Sequence, residues 1–378
     1  MGWGLKRPPK WARLLAELLV IFVVLACLEA GYRLYKLNRY GTMEYPDVQK
    51  LGYVEWDPVY GMRVTKNFRS QAAVPLKMQE DPTLRDVFGA QFTTNSWGYR
   101  GPEFSARKSP GTFRIVVLGD SAVMNMEMSD ADTWPLKLGT LLQTDSEFLA
   151  ARGANRVEVI NAGHIGWRSR EGLIRLREEV SRFEPDLVLI AFNWSDVTCG
   201  LAGQNADAVM VPPNQWWRRV KIIENLWVRF KVEQLKDKRY NDRRRSRIQR
   251  SAPWADSFSR NLVSMERFSS GIGSEARLVN LPGLCRRQGL ETGEYQQVIQ
   301  RTRVNPEEFR LWVDVKEFVS ALFQEVSDRT GIPLIDVADR FEAFSGARRV
   351  DLFRDEVHAT PEGAGEIARG VYQALTSS

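Results

Sequence analysis

The sequence predicts an α/β fold with a five-stranded parallel sheet and a separate helix near the N-terminus. Five short runs rich in β-branched and aliphatic residues alternate with amphipathic patterns from residue 113 onward. Strands that alternate with helices favour a parallel sheet with helices on both faces. A further apolar run, preceded by basic residues, lies within the first 40 residues. We therefore expect an α/β domain behind an N-terminal membrane helix.

The composition is that of a globular protein and excludes several classes. Of the 378 residues, 43% are hydrophobic and 26% are charged, which excludes a disordered chain and a multi-span membrane protein. Three cysteines and two histidines exclude a disulfide framework and a His-rich metal centre, and no cofactor is expected. Any imidazole chemistry must therefore use His164 or His358.

The positive charge is concentrated in one segment. The net charge is +6, but residues 218–250 contain 13 Lys or Arg and 4 Asp or Glu, which leaves −3 for the rest of the chain. Within 214–250, apolar residues recur at helical spacing: Trp216, Val220, Ile223, Trp227 and Phe230. This pattern indicates either an inserted helix packed on the domain, or a lid or membrane-surface helix attracted to anionic lipid headgroups. Nucleic-acid binding is not expected, because the basic charge is not spread over the domain.

The N-terminal run reaches the length of a membrane span only when charges at its ends are included. The basic residues before it are Lys6, Arg7, Lys10 and Arg13. Residues 18–28 lack charge but are too few, since a span needs roughly 20 residues. Extension to 14–32 includes Glu17 and Glu29 near the ends, where charges can reach the interface. We therefore expect residues 1–40 to be an uncleaved signal-anchor.

Three alternatives to the signal-anchor stay open. A cleaved signal peptide would need an A-x-A site, which does not follow cleanly. Residues 24–27 loosely match a lipoprotein cleavage box, and a buried soluble helix fits the short run but not the basic flank. The more basic N-terminal flank favours a single-pass protein whose main domain lies outside the cytosol, in the periplasm or extracellular space.

The remaining elements follow in order. Residues 41–112 are expected to be an irregular, partly β lead-in segment. Strands are predicted at 113–118, 157–161, 186–192, 276–281 and 332–337. Helices are predicted near 132–144, 168–183, 256–270 and 306–329, and a last helix has Thr360 as N-cap and Pro361 at its first position. Residues 113–378 are thus expected to form one domain, with a basic helical insertion at about 200–255.

Polar motifs follow the strands at the end where parallel sheets bind ligands. They are Gly119-Asp120-Ser121 after the first strand, NAGHIG at 161–166 after the second, NWSD at 193–196 after the third and DEVH at 355–358 after the fifth. A hydroxyl, an imidazole and a carboxylate therefore fall on one edge of the sheet.

These side chains form the set that nucleophilic catalysis requires. A serine hydroxyl such as that of Ser121 needs a base within hydrogen-bond reach. His358 can serve near neutral pH, and Asp355, one turn away, can hold its tautomer and stabilise the imidazolium. A developing oxyanion needs preorganised donors, for which we expect the amides of Ser121 and Gly166 and the side chain of Ser195.

The four motifs resemble those of the SGNH (GDSL-type) hydrolase family, and NSWGYRG at 95–101 resembles the lead-in of its membrane-anchored bacterial members. The motifs occur in family order, and the resemblance covers about 95–378. It implies a flavodoxin-like three-layer sandwich with strand order 2-1-3-4-5. It also implies Ser121 as nucleophile, His358 as base, Asp355 as its partner and Gly166 as an oxyanion donor.

The third motif departs from the family pattern, because Ser195 stands where the family has asparagine. A serine hydroxyl can also donate, but it is shorter and rotates freely. Loss of such a donor costs roughly 10²–10³ in rate, so either Ser195 weakens catalysis or Asn193 substitutes for it. We also expect substrate contacts from Asp120, Asn193, Trp194 and His164. The alternatives are a plain loop position for His164 and core packing for Trp194.

The leading prediction is a membrane-anchored serine esterase of the cell envelope, which cleaves an O-acyl or acetyl ester of a carbohydrate or lipid through an acyl-enzyme. The same residues would serve an O-acyltransferase that passes the acyl group to a polysaccharide hydroxyl. A catalytically weak envelope binding protein is a third alternative, and Ser195 is its one supporting feature. The expected partners are an acylated small-molecule, lipid or polysaccharide substrate and the membrane.

Two cysteines follow neighbouring strands of the implied sheet. Cys199 lies just beyond the third strand and Cys285 just beyond the fourth. They either form a disulfide that closes residues 200–284 or are two separate buried thiols. Cys27, within the apolar run, would stay unpaired.

Overall fold

The computed structural model describes residues 9–40, 53–70, 92–203, 220, 222–223, 226, 230, 238–249, 252–292, 295–296, 298 and 305–377. Much of the predicted lead-in at 41–112 and most of the predicted basic segment at 214–250 lie outside these residues. The division of the chain at residues 40 and 112 stays a prediction.

The strands of the described residues form two sheets. A small antiparallel pair joins β1 (Val54–Asp57) to β2 (Gly61–Val64). The main sheet contains β3 (Thr112–Gly119), β4 (Arg156–Gly163), β5 (Leu187–Ala191), β6 (Glu275–Asn280) and β7 (Leu334–Asp336). All five are parallel, in the order β4-β3-β5-β6-β7, which confirms the predicted order 2-1-3-4-5. Every residue of β3 is buried, as expected for a central strand covered on both faces.

The helices of the described part agree with the predicted ones where they are long. In chain order they are α1 (Lys10–Tyr40), α2 (Ser121–Met124), α3 (Trp134–Gln143), α4 (Ser146–Ala151), α5 (Ser169–Glu178), α6 (Ser195–Leu201), α7 (Lys238–Arg245), α8 (Pro253–Gly271), α9 (Arg287–Glu291), α10 (Pro306–Thr330), α11 (Val337–Phe341), α12 (Gly346–Asp351) and α13 (Pro361–Thr376). The Thr360 side chain accepts from the Gly363 amide, so α13 begins as predicted. Apart from α7, in the predicted basic insertion, the helices that the sequence did not predict are too short to show a 3.6-residue period.

Helices cover the sheet in two groups. α3 packs on β4 and against α13, whereas α8 packs on β6 and against α5. This arrangement is the three-layer sandwich expected from the family resemblance. It leaves the carboxyl ends of the strands open to the loops that carry the four motifs.

Strand register brings the motif loops together. Gly119, the last residue of β3, pairs with Gly163 of β4 and with Ala191 of β5. The two glycines are required because α2 folds back over the strand ends. A Cβ at Gly119 would lie 2.1 Å from a methyl of Val123, and one at Gly163 would lie 2.5 Å from the Met124 amide nitrogen. The first and second motifs therefore meet at van der Waals distance.

The described part of the lead-in packs against this same edge. Four of its aromatic and aliphatic side chains form a small cluster with Met124 and Met126, just after the first motif: Tyr53, Val64, Phe68 and Phe92. Arg100 makes an antiparallel bridge with Asn161 at the end of β4. The described lead-in thus packs against the residues that follow β3 and against the end of β4.

α1 is long and apolar enough to cross a membrane by length and composition. Residues Lys10–Asn38 reach a mean hydropathy of 2.4 over an 18-residue window that is 0% buried, and a signal sequence would show the same features. Because this window of α1 is exposed, the alternative of a buried soluble helix is not supported. Glu29, in the second half of α1, accepts from the Ile222 amide at 3.1 Å. Ile223 and Phe230, two residues of the predicted apolar stripe, are exposed.

The cysteines do not pair. Cys27 is exposed, Cys199 in α6 is half-buried, and Cys285 is buried, and all three are free thiols. Of the two alternatives, the disulfide is therefore not formed, and the thiols are separate, with Cys285 buried as expected and Cys199 only half-buried. Burial raises the pKa of both Cys199 and Cys285, so neither is an activated thiolate.

Candidate active site

Ser121, His358 and Asp355 form a hydrogen-bonded chain at the carboxyl edge of the sheet. His358 Nε2 lies 2.8 Å from Ser121 Oγ, and His358 Nδ1 lies 2.7 Å from Asp355 Oδ2. Ser121 is the first residue of α2, and the other two side chains come from the loop between α12 and α13. The structure therefore brings together three residues that lie up to 237 positions apart.

The turn that carries the imidazole is built by its own carboxylate. Asp355 Oδ1 accepts from the amides of Val357 and His358, at 2.9 and 2.8 Å. The Arg354 amide donates to the His358 carbonyl at 2.8 Å, which closes the turn. One carboxylate thus fixes the backbone with one oxygen and the ring with the other, so the ring orientation is preorganised.

The charges around His358 favour its protonated form. Burial alone lowers the pKa of His358, but the charge and hydrogen bond of Asp355, together with Glu127 and Asp120, raise it to about 9. Burial would raise the pKa of Asp355, but the charge and hydrogen bond of His358 hold it below its usual value. The pair therefore supports an imidazolium next to Ser121, the species that forms when a base takes the serine proton.

Asp120 is a structural link rather than a substrate contact. Its side chain is fully buried and caps α2 by accepting from the Ala122 amide at 3.0 Å. Its other oxygen accepts from the amides of Trp194 and Ser195, at 2.7 and 3.1 Å. One oxygen therefore caps α2 and the other joins the first motif to the third, and the buried side chain does not support the predicted substrate contact.

The expected oxyanion donors have no competing partner in the described part of the chain. The amides of Ser121 and Gly166 donate to no described residue, and neither does the hydroxyl of Ser195. Gly166 has φ +70°, a left-handed conformation that favours glycine. These three groups are therefore free to donate to a substrate oxygen. Their roles as oxyanion donors stay predictions.

The side chain of Asn193 is bound to the backbone at the end of β6. Its Nδ2 donates to the Val279 carbonyl at 3.2 Å, and its Oδ1 accepts from the Leu281 amide at 2.9 Å. The side chain is buried, and these two bonds hold it against the end of β6. The structure therefore does not support its predicted roles as an oxyanion donor and as a substrate contact. Ser195, which is 8% exposed, stays the predicted side-chain donor of the third motif.

His164 and Trp194 are buried, so direct contact with substrate is not supported for either. The His164 ring stacks on Trp167 with centroids 4.0 Å apart, and its Nδ1 donates to the Ile165 carbonyl at 2.8 Å. Burial lowers the pKa of His164 well below 6.5, and the nearby charge of Arg175 lowers it further, so the ring is neutral. Trp194 is 3% exposed, in agreement with core packing.

Two neighbours of the candidate site were not predicted. Arg100 donates to backbone carbonyls at the end of α2, and it lies in the lead-in motif at 95–101, which was the only sign of it in the sequence. Glu127 faces His358 and lies 3.6 Å from Arg354. No local pattern marks Glu127, because only the reversal of the chain after α2 brings it beside the loop of His358.

The chain belongs to the GDSL-like lipase/acylhydrolase family, whose family model matches residues 115–371. Members of this family hydrolyse ester bonds, and the protein is accordingly an ester hydrolase. Among the described residues, no group of three His, Cys, Asp or Glu side chains is placed to hold a metal ion.

Several solved structures are similar over about 70% of this chain. A lipase/acylhydrolase from Enterococcus faecalis is 19% identical, with 96% of that chain covered and a TM-score of 0.40. A GDSL-like lipase from Bacteroides thetaiotaomicron is 15% identical, with 88% covered and a TM-score of 0.36. A catalytic mutant of an acetylxylan esterase from Geobacillus stearothermophilus is 13% identical, with 94% covered and a TM-score of 0.41. No curated protein matches the chain.

Proposed function

We propose that the protein is a serine esterase that cleaves an O-acyl or acetyl ester through an acyl-enzyme, with Ser121 as nucleophile. The chain of hydrogen bonds from Ser121 to His358 to Asp355, at 2.8 and 2.7 Å, carries the proposal. A nucleophile that touches its base, and a base that touches an orienting carboxylate, are the geometry this reaction needs.

In the first half of the reaction, Ser121 Oγ attacks the carbonyl carbon of the ester and its proton moves to His358 Nε2. The charge that develops on the carbonyl oxygen is stabilised by the amides of Ser121 and Gly166 and by the hydroxyl of Ser195. The bond to the alcohol oxygen then breaks, and His358 donates its proton to the leaving alcohol. The acyl group remains bound to Ser121 Oγ.

In the second half, water attacks the acyl-enzyme and His358 takes the proton of the water molecule. Collapse of the second tetrahedral intermediate breaks the bond between the acyl carbon and Ser121 Oγ. His358 returns the proton to the serine, and the carboxylic acid leaves. Asp355 stays ionised throughout and stabilises the imidazolium, in agreement with its lowered pKa.

We further propose that the enzyme is anchored by α1 and acts outside the cytosol, on an envelope carbohydrate or lipid. The apolar, exposed α1 and the basic residues before it support this placement. The described contact between Glu29 and the Ile222 amide joins the second half of α1 to the 214–250 segment.

A fluorophosphonate probe tests the nucleophile directly, because it reacts with activated serines. The full-length protein in detergent should be labelled once, on the peptide that contains Ser121. Ser121→Ala should abolish both labelling and hydrolysis of a small activated ester. Ser129→Ala is the matched control, since that serine lies eight residues further along the chain and its hydroxyl donates to Asp132 at 2.6 Å. Undiminished labelling of Ser121→Ala would refute the assignment.

A further inference from the structure

The helix that carries the nucleophile, α2, is too short to be stable without contacts from other segments. α2 has four residues and ends at Asn125, whose φ of 50° is left-handed. The Asn125 amide donates to the Ser121 carbonyl at 2.7 Å, so the position of Asn125 controls the backbone of the nucleophile. A single helical turn is unfavourable by itself, because few hydrogen bonds repay the ordering of its backbone. Contacts from outside must therefore fix the orientation of α2.

Side chains from two other segments supply these contacts. The last carbonyls of α2 accept from side chains, as helix C-termini require. Asn161 Nδ2 donates to the Val123 carbonyl at 3.0 Å. Arg100 Nη1 donates to the carbonyls of Met124 and Asn125, and its Nη2 donates to the Met128 carbonyl. One guanidinium thus binds three carbonyls at and just after the C-terminus of α2.

Arg100 is itself held rigidly. The side chain is fully buried, and its Nε donates to Asp130 Oδ1 at 3.1 Å. Asp130 in turn accepts from the amide and the hydroxyl of Thr93, at 3.1 and 2.7 Å. The guanidinium plane also lies over the ring of Phe92, 5.5 Å from its centroid. Through these contacts Arg100 links the position of α2 to that of the lead-in segment.

We propose that Arg100 is a positioning residue, which holds α2 so that Ser121 Oγ stays in register with His358 Nε2. The inference rests on the proposed function of Ser121. Arg100 contacts no reacting atom, and it acts through the carbonyl of Asn125, the residue whose amide holds Ser121. A displacement of about 1 Å at a reacting group can cost on the order of 10² in rate. Lysine cannot replace Arg100, because an ammonium lacks the planar fork that reaches several carbonyls at once.

The chain offers a matched control in a second buried arginine. Arg114 donates to the carbonyls of Ser105, Ala106 and Phe183 and pairs with Glu158, so it also binds three carbonyls and one carboxylate. It lies near the start of β3, about 20 Å along the strand from Ser121. Its replacement should cost stability as that of Arg100 does, without an effect on the nucleophile.

The experiment compares Arg100→Met, Arg100→Lys and Arg114→Met in the full-length protein. Thermal unfolding of each variant sets a temperature at which it is folded. At that temperature we measure kcat and KM for a small activated ester, and the second-order rate of fluorophosphonate labelling. Arg100→Met should lose about 10² in kcat and in labelling rate, with KM and the pH midpoint unchanged. Arg100→Lys should lose nearly as much, and Arg114→Met should keep wild-type kcat.

Other outcomes overturn the inference. If folded Arg100→Met and Arg114→Met lose activity equally, or if the loss is in KM, Arg100 has only a structural role. The same conclusion follows if neither Arg100 variant folds while Arg114→Met does. Asn161→Ala, which removes the neighbouring bond to Val123, should show the same loss of kcat on a smaller scale. If the wild type itself is not labelled at Ser121, the proposed function fails before Arg100 is tested.

Discussion

Replacing Asp355 by asparagine removes a charge beside His358 while keeping nearly the same side-chain size. Asp355 Oδ2 lies 2.7 Å from His358 Nδ1, and Oδ1 accepts from two amides of the turn. Asparagine can still accept from these amides with its oxygen, so the turn should persist. Its NH₂ then faces Nδ1 and donates to it, which places the ring proton on Nε2. A protonated Nε2 cannot accept the proton of Ser121.

The expected loss depends on pH. The pKa of His358 is raised from 6.5 to about 9, and a neutral imidazole is the active form. Wild-type kcat/KM should therefore rise about tenfold per pH unit from pH 6 and level off above pH 9. The wrong tautomer should lower the plateau of Asp355→Asn by about 10⁴. The midpoint of the pH profile of Asp355→Asn should fall towards 6.5 or below, because burial lowers the pKa of the His358 ring once the charge of Asp355 is gone.

These two effects oppose each other near neutral pH. Wild type at pH 7 has roughly 1% of its base in the neutral form, whereas the variant has most of it. The variant should therefore lose about 10² in kcat/KM at pH 7 and about 10⁴ at pH 10. The assay is the pH profile of kcat/KM for a small activated ester, from pH 5 to 10.

The pH dependence of the free energy of unfolding is an independent check on the raised pKa of His358. A rise of the folded pKa of His358 from 6.5 to about 9 corresponds to roughly 3 kcal/mol at most. Because the folded pKa is raised, this stabilisation is fully present below pH 6.5 and is lost as the pH rises through 9. Asp355→Asn should thus lower the Tm clearly at pH 6 and much less at pH 10.

Glu127→Gln is the control for charge alone. Glu127 also raises the pKa of His358 but makes no hydrogen bond to its ring. This variant should lower the midpoint while leaving the plateau of kcat/KM unchanged. A wild-type midpoint near 6.5, or an Asp355→Asn plateau within tenfold of wild type, would refute the assignment of Asp355.

Two further predictions concern Ser195 and α1. Ser195→Asn should leave kcat for a small activated ester unchanged or increased, because asparagine restores the longer donor of the family pattern. A large loss of kcat would show that the serine has a role of its own. The full-length protein expressed in a bacterium should sediment with membranes and resist salt extraction, and removal of residues 1–40 should release it. Retention that salt reverses would identify the basic 214–250 segment as a second contact, and a freely soluble full-length protein would contradict the anchor.

The strands of the main sheet were predictable because their signals are local, whereas their order was implied by the family resemblance. A buried parallel strand such as β3 is a continuous apolar run, and the alternation with helices limits the topology. Ser121, Asp355 and His358 were identifiable as candidates because each follows a strand or precedes a capped helix. The short helices such as α2 and α6 were not, since four to seven residues do not complete two turns of a period.

The tertiary structure decided which candidate side chains are bound to neighbouring loops. Asp120 and Asn193 stand in the motifs beside Ser121 and Ser195, yet their oxygens and amide are used to join neighbouring loops. Sequence position cannot show this, because a polar residue at a strand end is equally suited to bind a ligand or to satisfy buried backbone groups.

The sequence by itself determined the α/β fold class and the residue types available for catalysis, since apolar periodicity and motif order depend on neighbours along the chain. The strand order followed from the family resemblance of the four motifs. Only the tertiary structure decided how the nucleophile is supported. Arg100 and Glu127 reach the site from segments that no motif of the sheet includes, Arg100 from the lead-in and Glu127 from the loop after α2. Their partners are backbone carbonyls and an imidazole brought near by chain reversals. Contacts of this kind leave no period in a sequence, because the partner lies far away along the chain and its backbone carbonyl is the same in every residue.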